Sequence, residues 1–222
     1  MKFLVISGAP ILLENSQKSA YPPFVREMDI WFKRKMDVCI IAPCNYPYPL
    51  STKPFNRQDF ELVGLPFIKF KSLKDLSINL LKLPLIFARL LIEINKCDHL
   101  HLRCPGNVGL LAVIAQVFFP QKKKTVKYAG NWDPKARQPW SYRLQKWILS
   151  NTFLSRNIKV LVYGEWPGQS RNIVPFFTAS FSEKDREQVS KEFKPPYKFI
   201  YTGNLVEGKG VAEAIELITS LR

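Results

Sequence analysis

The chain has 222 residues, 46% hydrophobic, 13% aromatic and 23% charged, which excludes a disordered chain and permits a sizeable core. Lys and Arg outnumber Asp and Glu by 33 to 18, a net charge of +15; that excess implies an anionic partner such as a phosphate-bearing ligand, an acidic membrane surface or nucleic acid. The four cysteines form no CxxC pair and no disulfide-dense spacing, so reduced, partly buried thiols in a cytoplasmic protein are expected.

Met1-Lys2 leads directly into a strand pattern with no signal-peptide architecture. Lys2–Gly8 reads as a buried parallel strand closed by glycine. Ala9–Pro23 reads as a long polar loop where open α/β sheets place ligand loops. The next segment is an amphipathic helix with Phe24, Met28, Trp31 and Phe32 inward, and Asp37–Pro43 is a second strand, completing one βαβ unit. Asn45–Phe60 reads as loop and Phe67–Lys71 as a third strand.

Leu73–Ile94 is a helical region holding Pro84 and dense in leucine, and its charges argue against a membrane span. It can cover the sheet, present an interfacial surface with Lys69, Lys71, Lys74, Lys82 and Arg89, or do both with different faces. Asp98–Arg103 is the fourth strand and Cys104-Pro-Gly-Asn its exit turn. The run Cys97-x-His99-x-His101-x-x-Cys104 has the residue types of a metal site; on a strand its first three members share a face and Cys104 points away, and no metal is expected. Val108–Phe118 is an apolar helix, Lys122–Tyr128 a fifth strand, Trp140–Phe153 a helix, Lys159–Gly164 a sixth strand and Asn172–Phe177 a short extended run.

Strands alternating with helices predict one Rossmann-like, doubly wound α/β domain over residues 1–180. Residues 181–196 read as a linker ending at Pro195-Pro196. Residues 197–222 read as the first strand (Tyr197–Thr202), a glycine turn and the first helix of a second Rossmann-like domain whose remainder is absent. Val211, Ala214, Ile215 and Ile218 share one face of that helix. Strand, glycine turn, lysine and helix start is how backbone N–H groups and a cation are presented to a phosphate.

The segment Gly203-x-Leu205-x-x-x-Lys209-Gly210 resembles the start of the donor-binding domain of retaining GT-B glycosyltransferases (glycosyltransferase family 4, glycosyl transferases group 1). The order of elements and the stretches Asn131-Trp132-Asp133 and Val162-Tyr163-Gly164 are similar to that family too. The resemblance implies an acceptor-side domain first, then the start of the donor-side domain, with the donor diphosphate at Gly203, Asn204, Lys209 and Gly210. Two departures are visible. Asn204 stands where the family carries an arginine, and Ala129-Gly130 stands where many members carry a His-Gly pair. The family's paired glutamates would lie past residue 222, so the chain as given is expected to be inactive alone, a fragment of a transferase.

Ligands of open parallel sheets bind beyond the carboxyl ends of the strands, which nominates Gly8, Arg103, Asn107, Asn131, Trp132, Asp133 and Glu165 as acceptor or cleft residues. Arg103 and Lys209 suit phosphate; Asn131, Asp133 and Glu165 suit hydroxyls; Trp132 and Trp166 suit sugar faces. Each has a plainer alternative: Arg103 pairs with an acid at the sheet edge, the tryptophans are core aromatics, and Asp133 before Pro134 is turn chemistry. The implied function is transfer of a sugar from a nucleotide-sugar donor to a glycan or lipid-linked acceptor in cell-envelope polysaccharide synthesis. It needs no cofactor beyond the nucleotide-sugar co-substrate, and an anionic membrane surface is a further partner at the inner face of the membrane. The alternatives are a non-catalytic basic membrane- or glycan-binding module, a nucleic-acid binder (disfavoured by scattered basic residues and no recognisable motif) and a nucleotide-dependent oxidoreductase (disfavoured by Ser7-Gly8-Ala9-Pro10 in place of G-x-G-x-x-G).

Overall fold

The computed structural model describes residues 1–33, 36–67, 73–177, 194–202 and 210–220, with the backbone alone for 73–81. The chain divides into two compact units, Met1–Ser180 and Phe181–Arg222. The first holds strands β1 (Lys2–Ile6), β2 (Ile11–Glu14), β3 (Gln17–Ala20), β4 (Asp37–Pro43), β5 (Lys53–Pro54), β6 (Glu61–Leu65), β7 (His99–Cys104), β8 (Lys123–Tyr128), β9 (Ile158–Val162) and β10 (Ile173–Pro175). Its helices are α1 (Pro22–Trp31), α2 (Leu73–Lys96), α3 (Asn107–Ala115), extended by a 3₁₀ turn Gln116–Phe118, and α4 (Trp140–Ser150).

Seven strands form one sheet in the order β10-β9-β8-β7-β1-β4-β6, and every neighbouring pair is parallel. This is the expected doubly wound α/β architecture. Alternation along each strand divides the core into two layers. Leu4 and Ile6 of β1, Cys39 and Ile41 of β4, and Leu100, Leu102 and Cys104 of β7 join one cluster with α2, α3 and α4. Phe3, Val5, Val38 and Ile40 point the other way, into a cluster with Phe24, Val25 and Met28 of α1. On that second face β7 and β8 carry His99, His101, Arg103, Thr125 and Lys127 where apolar residues would be expected.

Three expectations are corrected. Ala9–Pro23 is not an open loop: β2 and β3 pair antiparallel through Asn15 and Ser16, both at positive φ (49° and 63°), the tight turn whose twist matches a hairpin. β3 also pairs with β5, and Lys18 ties the hairpin down by donating to the Gln58 and Phe60 carbonyl oxygens, each at 2.7 Å. The third strand of the main sheet is β6, ahead of Phe67–Lys71; Phe67 lies outside it and 68–72 fall outside the described residues. Gly64 disguises β6 as a turn, yet a Cβ there would stand 3.0 Å from the Cys44 sulfur, so close packing selects the glycine. In the second unit Tyr197–Thr202 makes no strand ladder among the described residues, and Tyr197, Phe199 and Ile200 are exposed; an apolar run becomes a strand only when a neighbour takes up its backbone groups. Helix α5 (Val211–Ser220) follows Gly210 at φ 72°, with Val211, Ala214 and Ile218 half-buried but Ile215 exposed.

Helix α2 runs through Pro84 as one element. Ile86, Leu90 and Ile94 are buried against the sheet, while Lys82, Leu85, Arg89 and Ile92 face outward. Lys69 and Lys71 lie outside the described residues, as does the Lys74 side chain. No described helix is long and apolar enough to cross a membrane.

Helix α3 returns from β7 in very close contact. A Cβ on Gly109 would lie 3.1 Å from the Arg103 carbonyl oxygen and 3.3 Å from both the Cys104 sulfur and the Gln145 side-chain oxygen. Backbone cannot step aside as a flexible side chain can. Gly109→Val is therefore expected to lose about 1–3 kcal/mol of stability by overpacking, and urea denaturation of the variant at wild-type midpoint would refute the contact.

Candidate functional site

The strand order reverses between β1 and β7, the place where open α/β sheets split to admit ligands. A cavity of about 420 Å³ opens there, lined by Gly8 and Ala9 after β1, Pro43 of β4, Arg103 and Cys104 of β7, and Gly106, Asn107 and Val108 at the start of α3. Ser7 shapes the exit from β1: its N–H bonds the Ile41 carbonyl at 3.0 Å, and its hydroxyl accepts the Ala9 N–H at 3.0 Å. Gly106 sits at φ 151°, a conformation that favours glycine, and no side chain caps α3. The first-turn N–H groups of α3 and their dipole end therefore open toward the cavity.

Among the described residues Arg103 is the cation of this cavity, and its environment is built from three elements. Arg103 and Lys127 are register partners on β7 and β8, so their side chains leave the same face side by side. Glu27 of α1 meets both: one carboxylate oxygen accepts from the Arg103 guanidinium and, at 2.9 Å, from the Lys127 ammonium. The three side chains are only 17%, 7% and 9% exposed for Arg103, Lys127 and Glu27. The Arg103 guanidinium also lies over the Phe24 ring at 4.9 Å. Two cations to one carboxylate leave the cluster one positive charge in excess. Arg103 thus pairs with an acid, the plainer of its two readings, and also lines the switch-point cavity.

Below this cluster, Thr125 joins two imidazoles. Its hydroxyl is 3.0 Å from His99 Nε2 and 2.9 Å from His101 Nδ1. One hydroxyl proton can serve only one ring, so it donates to one nitrogen and accepts from the other. His101 Nε2 is buried without a hydrogen-bond partner and 4.0 Å from the Glu27 carboxylate. We assign the proton to that nitrogen, where N–H faces a carboxylate; His101 Nδ1 then accepts from Thr125, and His99 donates to it. Burial above all, helped by the charges of His99, Arg103 and Lys127, pushes His101 down to about 3. It is neutral at physiological pH, and Glu27 is committed to its two permanent cations.

Gly8, Arg103 and Asn107 thus meet at one cavity. Asn131, Trp132, Asp133 and Glu165 are not among its lining. Asn131 Oδ1 accepts the Asp133 N–H and Asp133 Oδ1 accepts the Lys135 N–H, each at 2.8 Å, which is turn chemistry. Trp132 is 4% exposed and packs edge-on against Tyr128 with ring centroids 4.8 Å apart. Lys146 of α4 holds this turn from inside, donating to the Trp132 and Asp133 carbonyl oxygens at 2.9 and 3.0 Å. Trp166 bonds the Tyr163 carbonyl at 3.0 Å. Gly203, Asn204 and Lys209 lie outside the described residues; Gly210 alone of that set is described. The Cys97–Cys104 run brings no metal ligands together, because Cys97 precedes β7 and joins Cys104 in the α2/α3 layer, away from both histidines. All four cysteines are free, and burial pushes the Cys104 thiol up to about 12.

Glu27, Lys127 and Thr125 were not foreseen. Glu27 had a signal: it stands at helical spacing from Phe24 and Trp31, a lone carboxylate on the buried face of α1.

No protein-family model matches the chain, and no curated protein matches it. The structure of UDP-GlcNAc 2-epimerase from Methanocaldococcus jannaschii is similar at 14% identity and a TM-score of 0.40, over 73% of this chain and 40% of that one. A likeness at that level does not carry function.

Removing Glu27 would leave two neighbouring cations buried and unneutralised. Glu27→Gln is expected to cost about 3–5 kcal/mol in chemical denaturation, and the triple change Glu27→Leu, Arg103→Met, Lys127→Met to recover most of it; a single variant as stable as wild type would overturn the cluster's role. His101 sets an acid limit. Its folded-state pKa lies below its unfolded value of 6.5, so the unfolded state binds the extra proton. Stability is then full above pH 6.5 and falls below it, by about 1.4 kcal/mol per pH unit at the steepest. A His101→Leu variant should show a shallower loss between pH 6.5 and 4, and an unchanged slope would remove His101 from the account.

Proposed function

We propose that the first unit is the acceptor-side domain of a GT-B-type glycosyltransferase, and that its switch-point cleft receives an acceptor bearing a negative charge, such as a diphosphate-linked saccharide. The observation that carries this reading is the cleft itself: a shielded arginine, one positive charge in excess, and an uncapped helix start beside glycine. Together they suit an anionic group on a ligand whose remainder lies along the strand ends. Gly203, Asn204, Lys209 and Gly210 would hold the donor diphosphate, as the sequence resemblance implies. In the transferase reaction the diphosphate leaves as the sugar's anomeric bond breaks. A lysine and helix-start N–H groups would stabilise the charge that develops on it.

The test is calorimetric titration of the chain with a water-soluble saccharide carrying a terminal diphosphate. Arg103→Met leaves Glu27 paired with Lys127, so the fold is expected to stay intact. Binding should weaken at least about tenfold, the loss of one charge-assisted contact. Equal affinity in the variant would overturn the cleft assignment. Binding without sugar transfer from any UDP-, GDP- or dTDP-sugar, by the polypeptide encoded in the whole reading frame, would favour the non-catalytic glycan-binding module.

A further inference from the structure

A second and larger cavity, about 1020 Å³, lies at the opposite end of the sheet, around the amino ends of β7, β8 and β9. Among the described residues its lining includes Lys123, Lys124, Arg156, Lys159 and Arg171, and no Asp or Glu. The walls are fixed backbone. Asn157 bonds the Pro120 carbonyl through its side chain at 2.9 Å, its own carbonyl accepts the Lys124 N–H at 2.9 Å, and Asn172 reaches the Leu149 carbonyl at 2.8 Å. The Arg156 guanidinium lies over the Phe153 ring, 4.8 Å from its centroid.

Lys124 is internal: its ammonium donates to the Gln116 side chain at 2.8 Å and to the Gln116 and Phe119 carbonyl oxygens at 3.3 and 3.1 Å. Those acceptors satisfy its N–H groups, and burial pushes its pKa down to about 8, so it carries most of its charge at neutral pH. Burial first, and then the Lys123 charge, lower the His99 pKa, so the imidazole here adds no positive charge at neutral pH but registers the positive field.

We propose that this cavity is a phosphate-binding site, separate from the switch-point cleft, taking a polyphosphorylated solute or phospholipid headgroup between Arg156, Lys159, Arg171 and Lys123. Two arginines supply planar forks that match phosphate oxygens, and two lysines supply mobile point charges. A single phosphate would leave part of this charge unmatched, so a ligand with two or more phosphates fits best. The site does not rest on the glycosyltransferase reading, since none of its residues lines the cleft.

Tripolyphosphate is the first probe, read by calorimetry and by the melting temperature. The double reversal Arg156→Glu, Lys159→Glu, two exposed positions, should weaken binding at least about a hundredfold. The reversal Lys135→Glu, Arg137→Glu, equal in charge but set on the far turn, should change it less than about threefold. In Arg103→Met the binding component that the Arg156/Lys159 reversal removes should persist. Equal losses in both reversals would reduce the effect to net charge and overturn the proposal, as would disappearance of that component in Arg103→Met. Co-sedimentation with phosphatidylcholine vesicles, with and without a phosphatidylinositol bisphosphate, separates the sources. Tripolyphosphate binding without vesicle binding assigns a soluble ligand. Capture by the acidic vesicles alone, abolished by the Arg156/Lys159 reversal, assigns a lipid headgroup. Binding of neither probe overturns the site.

Discussion

The carboxylate of Glu27 is the constraint on which the switch-point end of this sheet depends. Parallel pairing of β7 with β8 sets Arg103 beside Lys127, and nothing in that ladder separates their charges. An acid must come from another layer, and α1 delivers it from the helix that also buries Phe24 and Met28. One helix therefore supplies both the hydrophobic cover of β1 and β4 and the counter-ion of β7 and β8. The position of α1 along its axis is fixed more tightly than apolar packing alone would fix it, because a charge-assisted hydrogen bond tolerates little displacement.

That constraint reaches the cleft through α3. Gly109 lets the helix lie against the Arg103 carbonyl, and Gln145 of α4 reaches toward the Gly106 carbonyl at 3.4 Å. The helix start, the arginine backbone and the arginine side chain are thereby set in one frame: α4 braces α3, α3 rests on β7, and α1 holds the arginine head. A ligand meeting Arg103 meets a group already ordered, so little side-chain entropy remains to be lost on binding.

Strands β1 and β4 were legible because they are buried on both faces and read as continuous apolar runs, Lys2–Gly8 closed by glycine and Asp37–Pro43 by proline. Helix α1 was legible from its periodicity, whereas α3 showed only as an unbroken apolar run. Three features were not. The hairpin β2–β3 hides behind polar composition, since Glu14-Asn-Ser-Gln17 looks like loop until Asn15 and Ser16 are seen at positive φ. β6 hides behind Gly64, whose reason is the sulfur of Cys44, a residue beyond the partner strand. The apolar run Tyr197–Thr202 has strand composition without a ladder among the described residues. In the site, Arg103 and Asn107 could be named from the rule of strand ends, whereas Glu27 could not be matched to Arg103, because their meeting is a product of layer packing across 76 positions of sequence.

The net charge of +15 is a weaker guide to partners when read from composition than when read from geometry. Lys18, Lys122, Lys124 and Lys146 all have their ammonium groups bound to carbonyl oxygens. Such lysines are structural, and a count of cations would wrongly enrol them as ligand contacts. Carbonyl oxygens are dipoles, however, and leave the monopole in place. Each of these lysines still contributes to the potential outside the protein, although none can reach a ligand. Four exposed cations that can reach one, Lys123, Arg156, Lys159 and Arg171, stand around the amino ends of the strands and are backed by Lys124, whose pKa burial pushes down to about 8. An anion there would be drawn by a field built partly inside the fold, and would be gripped only by side chains at its surface.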